Sequence, residues 1–177
     1  YYVFIEGEEE PIFTNEKPYS DIENPDPGFR LLCLYRYWNM IQYYFPYKYL
    51  IDEDWTDILK EFIPKFLNAN DRLEYLLVVQ ELIASIHDSH SRFIHMPETL
   101  EKYWGENYAP LEVTFIENRA VITDFLIKNH EPLSGLQKGD IILTINKTPV
   151  DEIIKKRINY TSGSNYPTQL RNLALNL

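Results

Sequence analysis

The stretch that decides the fold of the second half of this chain is Gly135-Leu136-Gln137-Lys138-Gly139-Asp140, followed by Ile141-Ile142-Leu143-Thr144-Ile145-Asn146. Residues 135–140 suit a tight turn, because glycine reaches backbone conformations that other residues avoid and aspartate bonds to neighbouring backbone groups. Residues 141–145 form a short run rich in isoleucine, which is typical of a core strand. The order predicts a turn, a strand and a second turn at Asn146-Lys147.

Two more strands are predicted before this turn. Residues 111–116 and 120–125 alternate or cluster apolar side chains, and Glu117-Asn118-Arg119 between them is a turn signal. A short helix is predicted around residues 151–158. A last helix opens at Pro167, with one apolar face made of Leu170, Leu173, Ala174 and Leu177. Three strands are too few to cover two helices, so we expect sequence outside these residues to complete the domain.

The first half of the chain predicts helices. One begins at Asp26-Pro27 and ends before Pro46, because aspartate caps free N–H groups and proline fits the first turn. A second covers about residues 53–67, with a kink or an early end at Pro64. A third follows Asp71, which has the spacing of a capping box with Glu74. The predicted inner side of this third helix is Leu73, Leu76, Leu77, Gln80, Ile83 and Ile86.

The element order predicts an α+β fold in three parts. Residues 1–28 contain several prolines and form an N-terminal arm, residues 29–104 form a helical bundle, and residues 105–177 form a small domain of short antiparallel strands and helices. The formal net charge of −10 argues against nucleic acid and anionic membrane surfaces as partners. The single cysteine, Cys33, excludes an internal disulfide and is predicted to be a buried structural thiol. No stretch is apolar for long enough to predict a membrane helix.

The end of the third helix, His87-Asp88-Ser89-His90-Ser91-Arg92-Phe93, resembles the end of the helical region of tail-specific and tricorn-type serine peptidases. The segments Arg36–Ile41 and Phe45–Tyr47 are similar to the first helix of exported members of that family. The turn at 135–140 and the strand after it resemble the GL-x-x-GD-x-I-x-x-I-N segment of PDZ domains, which bind peptides. The ordered set covers about residues 29–177.

This resemblance implies a serine endopeptidase whose α/β catalytic core follows the PDZ-like domain. No such core is expected within the 177 residues, so the chain alone is predicted to be inactive. In tricorn-type members, the histidine that His90 matches takes the proton of the catalytic serine. Lysine-dependent members do not need it, and the alternative for His90 is a structural role at the helix end. The resemblance also implies export to the periplasm or cell envelope, and no metal or organic cofactor.

The predicted ligand is a peptide, a C-terminal segment or an unfolded protein, which would be delivered to the catalytic core. Leu133 to Leu136 are expected to line an apolar pocket, while Gly135, Leu136 and Gln137 present backbone donors to a terminal carboxylate. The alternative is that this domain is a rigid gate or spacer without a ligand. The alternative function for the whole chain is a stand-alone peptide-binding adaptor or an interaction scaffold.

Four other patterns in the sequence allow more than one interpretation. His87, His90 and His95 lie close in sequence, but no carboxylate cluster accompanies them at a recognisable ligand spacing, so no metal site is predicted. Ser134 and Lys138 have the spacing of a serine–lysine pair but lack the surroundings of a nucleophile. Asp88 either orients His90 or caps the following turn, and the second role is favoured. The aromatic cluster near 35–47 is expected to pack in the core rather than bind sugars or partners.

Overall fold

The computed structural model describes residues 16–19, 21–127, 135–175 and 177. It shows the predicted α+β fold, with helices and two small antiparallel strand pairs. The helices are α1 (Pro27–Tyr44), α2 (Trp55–Asn68), α3 (Arg72–Ala84), α4 (Glu98–Trp104), α5 (Val150–Arg157) and α6 (Tyr166–Ala174). The strands are β1 (Leu111–Ile116), β2 (Arg119–Phe125), β3 (Thr144–Ile145) and β4 (Thr148–Pro149).

The chain divides into two compact units, of which the first ends at Tyr75 and the second begins at Leu76. Our predicted boundary between residues 104 and 105 lies farther along the chain, and the division into an arm, a helical bundle and a PDZ-like domain stays a prediction. No helix among the described residues combines the length and the apolar character that crossing a membrane requires.

The first unit is built on the packing of α1 against α2. Helix α1 begins as predicted, because the Asp26 side chain accepts hydrogen bonds from the N–H groups of Gly28 and Phe29 at 2.8 and 3.0 Å. Asp54 caps α2 in the same way through the N–H of Thr56. The buried core of this unit consists of Leu34, Ile41, Trp55, Ile58, Phe62, Phe66 and Ala69.

Helix α2 does not end early at Pro64, as one of our two alternatives had it. The helix continues to Asn68, with Pro64 in its interior. Phe66, in the turn after the proline, is completely buried, and burial of a phenylalanine contributes about 1.5–3 kcal/mol. This gain offsets much of the cost of a proline in a helix, which is about 3 kcal/mol.

The start of α3 confirms the predicted cap in part. The N–H of Glu74 donates to Asp71 Oδ1 at 2.8 Å, as a capping box requires. The Glu74 carboxylate returns to the N–H of Asn70 rather than to that of Asp71. The predicted inner side of α3 is only partly right. The buried residues at the end of this segment are Leu82, Ala84 and Ile86, and our prediction contained only Ile86.

The aromatic cluster near residues 35–47 does not pack uniformly in a core, which corrects our expectation. Tyr35, Tyr43 and Tyr47 are exposed. Trp38 forms a specific link between α1 and α2: its Nε1 donates to the carbonyl of Trp55 at 2.7 Å, and Trp55 Nε1 donates to the carbonyl of Trp38 at 3.0 Å. The aromatic cluster therefore includes both side chains that contact the rest of the unit and side chains that are exposed.

The second unit contains the β1–β2 hairpin, which confirms the predicted strands almost residue for residue. Ile116 pairs with Arg119 across a two-residue turn at Glu117 and Asn118, and both turn residues have positive φ, at 50° and 61°. Two consecutive residues of this kind define a type I′ turn, whose twist matches that of the strands. Asn146 and Lys147 make a second turn with positive φ between β3 and β4, as predicted.

The predicted strand 141–145 is wrong as a continuous element. Ile141 forms a single bridge with Val121 of β2, and only Thr144 and Ile145 belong to a strand, β3, which pairs with β4. One face of this small sheet is covered by α5 and α6. The core there is Ala120, Val150, Ile154, Leu170 and Leu173, with Val113, Phe115 and Ile142 packed against it. Helix α4 was not predicted at all; it ends at Gly105, where φ is +116°.

Candidate functional site

The second unit contains an apolar groove with a volume of about 900 Å³. It is lined by residues of β1, β2, the 136–145 segment and the end of α6. We call it the groove; its lining includes Leu136, Ile141, Leu143, Arg171, Leu111 and Leu175. Its volume lies in the range of pockets that bind small ligands, about 300–1,000 Å³.

Exposed apolar side chains mark one side of the groove. Leu143 is 74% exposed, and Leu136 and Ile141 are about two-fifths exposed. Leu175, from the end of α6, is also exposed at the groove. Neighbouring exposed apolar side chains that line one concave surface are a recognised mark of a binding site.

The backbone beside these side chains is a strand edge that is open at Ile141 and is covered at Leu143, where Val150 donates to its carbonyl. The N–H of Ile122 donates to the carbonyl of Asp140, and the N–H of Ile142 donates to that of Ala120. Because hydrogen-bonding groups alternate in direction along an antiparallel strand, the N–H and C=O of Ile141 and the N–H of Leu143 point away from β2. Among the described residues, these three groups have no hydrogen-bond partner, while the carbonyl of Leu143 accepts from Val150.

The predicted turn at residues 135–140 is formed, while its binding of a carboxylate stays a prediction. Gly135 and Gly139 have positive φ, at 71° and 95°, so both need the freedom of glycine. The N–H of Gln137 donates to Asp140 Oδ2 at 2.8 Å, which engages one of the predicted donors inside the turn. Leu136 lines the groove as expected, whereas Gly135 and Gln137 do not. Leu133 lies outside the described residues.

The Ser134–Lys138 pair receives no support as a catalytic pair. Lys138 Nζ lies 2.7 Å from Asp124 Oδ1, which makes it part of a surface ion pair. Ser134 lies outside the described residues.

The cationic side chain of Arg171 lies at the groove. The Arg171 guanidinium, on the exposed side of α6, makes hydrogen bonds of 3.3 Å from Nε and Nη2 to the neutral amide oxygen of Asn172. No carboxylate of the described residues pairs with it. Sequence reasoning did not select Arg171, since a single arginine on a helix gives no signal until the helix is placed beside the groove.

His90 lies in the loop between α3 and α4, and its side chain is 96% exposed. Its ring Nδ1 is 3.1 Å from Asp88 Oδ1, and its backbone N–H donates to the same oxygen at 2.9 Å. The Asp88 carboxylate thus accepts a hydrogen bond in the turn and also contacts the imidazole, so both roles that the sequence left open stay predictions. None of the described residues that line the groove comes from this loop.

A partly buried polar network links helices of the second unit. Gln80 accepts from Trp104 Nε1 at 3.0 Å and donates to the carbonyl of Tyr160 at 3.1 Å. Arg157 Nη2 donates to the carbonyl of Trp104 at 2.6 Å, and its guanidinium lies over the Trp104 ring. Burial lowers the pKa of Arg157. The network ties α3, α4 and α5 together within the second unit.

Within the parts of the chain that the structure describes, no three His, Cys, Asp or Glu side chains are grouped as metal ligands. Comparison with protein-family models found no match, and neither did a search of curated proteins. The site is therefore interpreted from its geometry.

Proposed function

We propose that this chain binds extended peptides in the groove, as the PDZ-like part of a serine endopeptidase whose catalytic core is contributed by other sequence. The observation that carries the peptide-binding half is the open strand edge at Ile141, beside exposed apolar side chains. A peptide that adds as a strand satisfies such an edge through its backbone and places alternate side chains against the apolar surface.

The geometry favours a peptide over a compact small molecule. The outward N–H and C=O of Ile141 offer the donor and the acceptor with which one residue of an added ligand strand exchanges hydrogen bonds. Leu136 and Leu143 then contact its apolar side chains.

Arg171 gives the groove a preference for a negatively charged ligand end. A guanidinium recognises a carboxylate in a bidentate, charge-assisted manner. Arg171 has only a neutral amide partner among the described residues, so pairing with a ligand carboxylate does not require an internal ion pair to break. This supports C-terminal peptides as the ligand class, in keeping with the family resemblance of the sequence.

The binding half is tested by NMR titration of the isotope-labelled chain with a hexapeptide that ends in leucine and a free carboxylate. We expect the amide signals of Ile141 and Leu143 to shift, and the same peptide with an amidated C-terminus to bind more weakly. Peptide that leaves all signals of the groove unchanged would refute the proposal and favour a rigid spacer.

Two exposed apolar residues make a matched pair of variants. Leu143→Glu places a charge at the groove and should weaken binding at least tenfold, because tenfold corresponds to only about 1.4 kcal/mol. Ile94→Glu makes the same change at a residue that is 91% exposed and does not line the groove, so binding should not change. Equal effects of the two variants would show that the groove is not the site.

The peptidase half rests on His90, and the Asp88–His90 contact favours it over the stand-alone adaptor. An exposed imidazole with one nitrogen held by a carboxylate is suited to general-base catalysis. In the longer protein that includes the serine core, His90→Ala should reduce peptide hydrolysis by orders of magnitude while peptide binding to the groove is retained. Full hydrolysis by this variant would assign the chemistry to a lysine instead.

A further inference from the structure

The loop that carries Asp88 and His90 is held at both ends. Ile86, just before it, is 3% exposed and belongs to the core. His87 has a positive φ of 54°, which turns the chain away from the direction of α3. After the pair, the carbonyl of Ser91 accepts a hydrogen bond from Ser162 Oγ, and the N–H of Ser91 donates to the carbonyl of Asp88 at 3.1 Å. The imidazole therefore projects from an anchored segment.

The contact between Asp88 and His90 bears on the tautomer of the ring. An ionised carboxylate is only an acceptor, so the 3.1 Å approach of Asp88 Oδ1 to Nδ1 is a hydrogen bond when Nδ1 carries the proton. In the neutral ring, the lone pair then lies on Nε2. Because the side chain is 96% exposed, a second reactant has access to Nε2.

We propose that Asp88 is a positioning residue that holds His90 in the Nδ1–H tautomer and so presents Nε2 as the proton acceptor; this rests on the peptidase function proposed above. Nε2 takes the proton of the serine hydroxyl as Oγ bonds to the peptide carbonyl carbon and the C=O π electrons move to oxygen. The imidazolium then gives that proton to the leaving nitrogen as the C–N bond breaks. Asp88 keeps its negative charge throughout.

A purely structural Asp88 has a different signature. If it only closes the turn, its bond to the backbone N–H of His90 is sufficient, and the ring tautomer does not depend on it. Asp88→Asn separates the roles, since an amide oxygen still accepts from the backbone, whereas the amide NH₂ can donate to Nδ1 and favour the Nε2–H tautomer. Ser89→Ala is the matched control, because it changes the residue between the pair and removes no acceptor of His90.

The experiment is ¹⁵N NMR of the histidine side chains of this chain near pH 8, where an ordinary imidazole, with a pKa of about 6.5, is neutral. His90→Gln identifies the His90 signals among the four histidines. We expect the Nδ1–H form to exceed the Nε2–H form in the wild-type protein and in Ser89→Ala, and the ratio to invert in Asp88→Asn. A wild-type ring in the Nε2–H form, or a ratio unchanged in Asp88→Asn, would overturn the proposal.

This readout is separate from the proposed function. If the tautomer depends on Asp88 but His90→Ala leaves hydrolysis by the longer protein intact, the peptidase role of His90 is refuted. The positioning of His90 by Asp88 is then retained. If His90→Ala abolishes hydrolysis but the tautomer does not depend on Asp88, the catalytic role of His90 is supported and the positioning role of Asp88 is refuted. If both hold, Asp88→Asn should lower kcat with little change in KM, because the groove is built from other residues.

Discussion

Arg30 is the one buried charged residue of the described chain, with 6% of its surface exposed. Its Nε donates to the carbonyl of Pro25 at 2.7 Å, its Nη1 donates to that of Ala69, and its Nη2 donates to Asn24 Oδ1 at 3.3 Å. One guanidinium thus satisfies acceptors before α1 and after α2. Arg30→Lys retains the charge but replaces a fork of donors with a single point donor.

The expected cost follows from the acceptors that lysine leaves without a donor. An ammonium at this position can reach one of the three, and each buried acceptor left unsatisfied costs about 1–3 kcal/mol. One of the two lost bonds is long, at 3.3 Å, and its acceptor belongs to the exposed Asn24, so we expect a loss of about 1–3 kcal/mol in the free energy of unfolding. That is a large part of the roughly 5–15 kcal/mol by which a domain is stable.

Arg36→Lys is the control on the same helix. Arg36 donates to the carbonyl of Lys17 at 2.9 Å, and its Nε lies 3.3 Å from Glu16 Oε2, but both side chains are partly exposed. Exposed pairs contribute about 0–1 kcal/mol. Urea unfolding followed by tryptophan fluorescence should therefore show a midpoint lowered by about 0.5–1.5 M in Arg30→Lys, for an m value of about 2 kcal/mol/M, and a small change in Arg36→Lys. Indistinguishable midpoints would refute the reasoning.

Two further changes test the packing of each unit. Gly163→Ala should destabilise the second unit by about 1–3 kcal/mol, because an added Cβ would lie 2.7 Å from the backbone N of Gln169 in α6; thermal unfolding measures this, and Ser164→Ala should be nearly neutral. Burial, and to a lesser degree Cys33, raises the pKa of Tyr75. Because the folded pKa exceeds the unfolded value of about 10, stability is intact below that pH and should fall as pH rises above it. Tyr75→Phe should flatten this fall in urea titrations, whereas Tyr49→Phe, at an exposed position, should not.

The helix starts were predictable because their causes are local. Asp26 and Asp71 lie next to the N–H groups that they accept, so the sequence contains the whole interaction. The type I′ turn at Glu117 and Asn118 is similar, since two strands separated by two turn residues have few ways to pair. The length of α2 could not be predicted from the local sequence, because the burial of Phe66 beyond Pro64 depends on packing against α1.

The site was predictable only in its region. Glycine spacing located the 135–140 turn correctly, and Leu136 was rightly placed at a pocket. The apolar run 141–145 could not show which backbone edge stays open, because a continuous apolar run does not distinguish a buried from an exposed side of the strand. The exposure of Leu143 is decided by the early end of pairing with β2, and Arg171 reaches the groove only through the position of α6.

The geometry separates peptide capture from proton transfer. The groove is lined by residues 108–177, and the Asp88–His90 pair contributes nothing to it. Mutations at sites without shared contacts are additive in free energy to within about 0.3–0.5 kcal/mol. Leu143→Glu and Asp88→Asn, combined in the longer protein, should therefore give a loss of kcat/KM equal to the product of the single losses, with the first acting on KM and the second on kcat. If the kcat/KM of the double variant is no lower than that of the more impaired single variant, the peptide is bound against the His90 loop. The division between the groove and the loop would then be wrong.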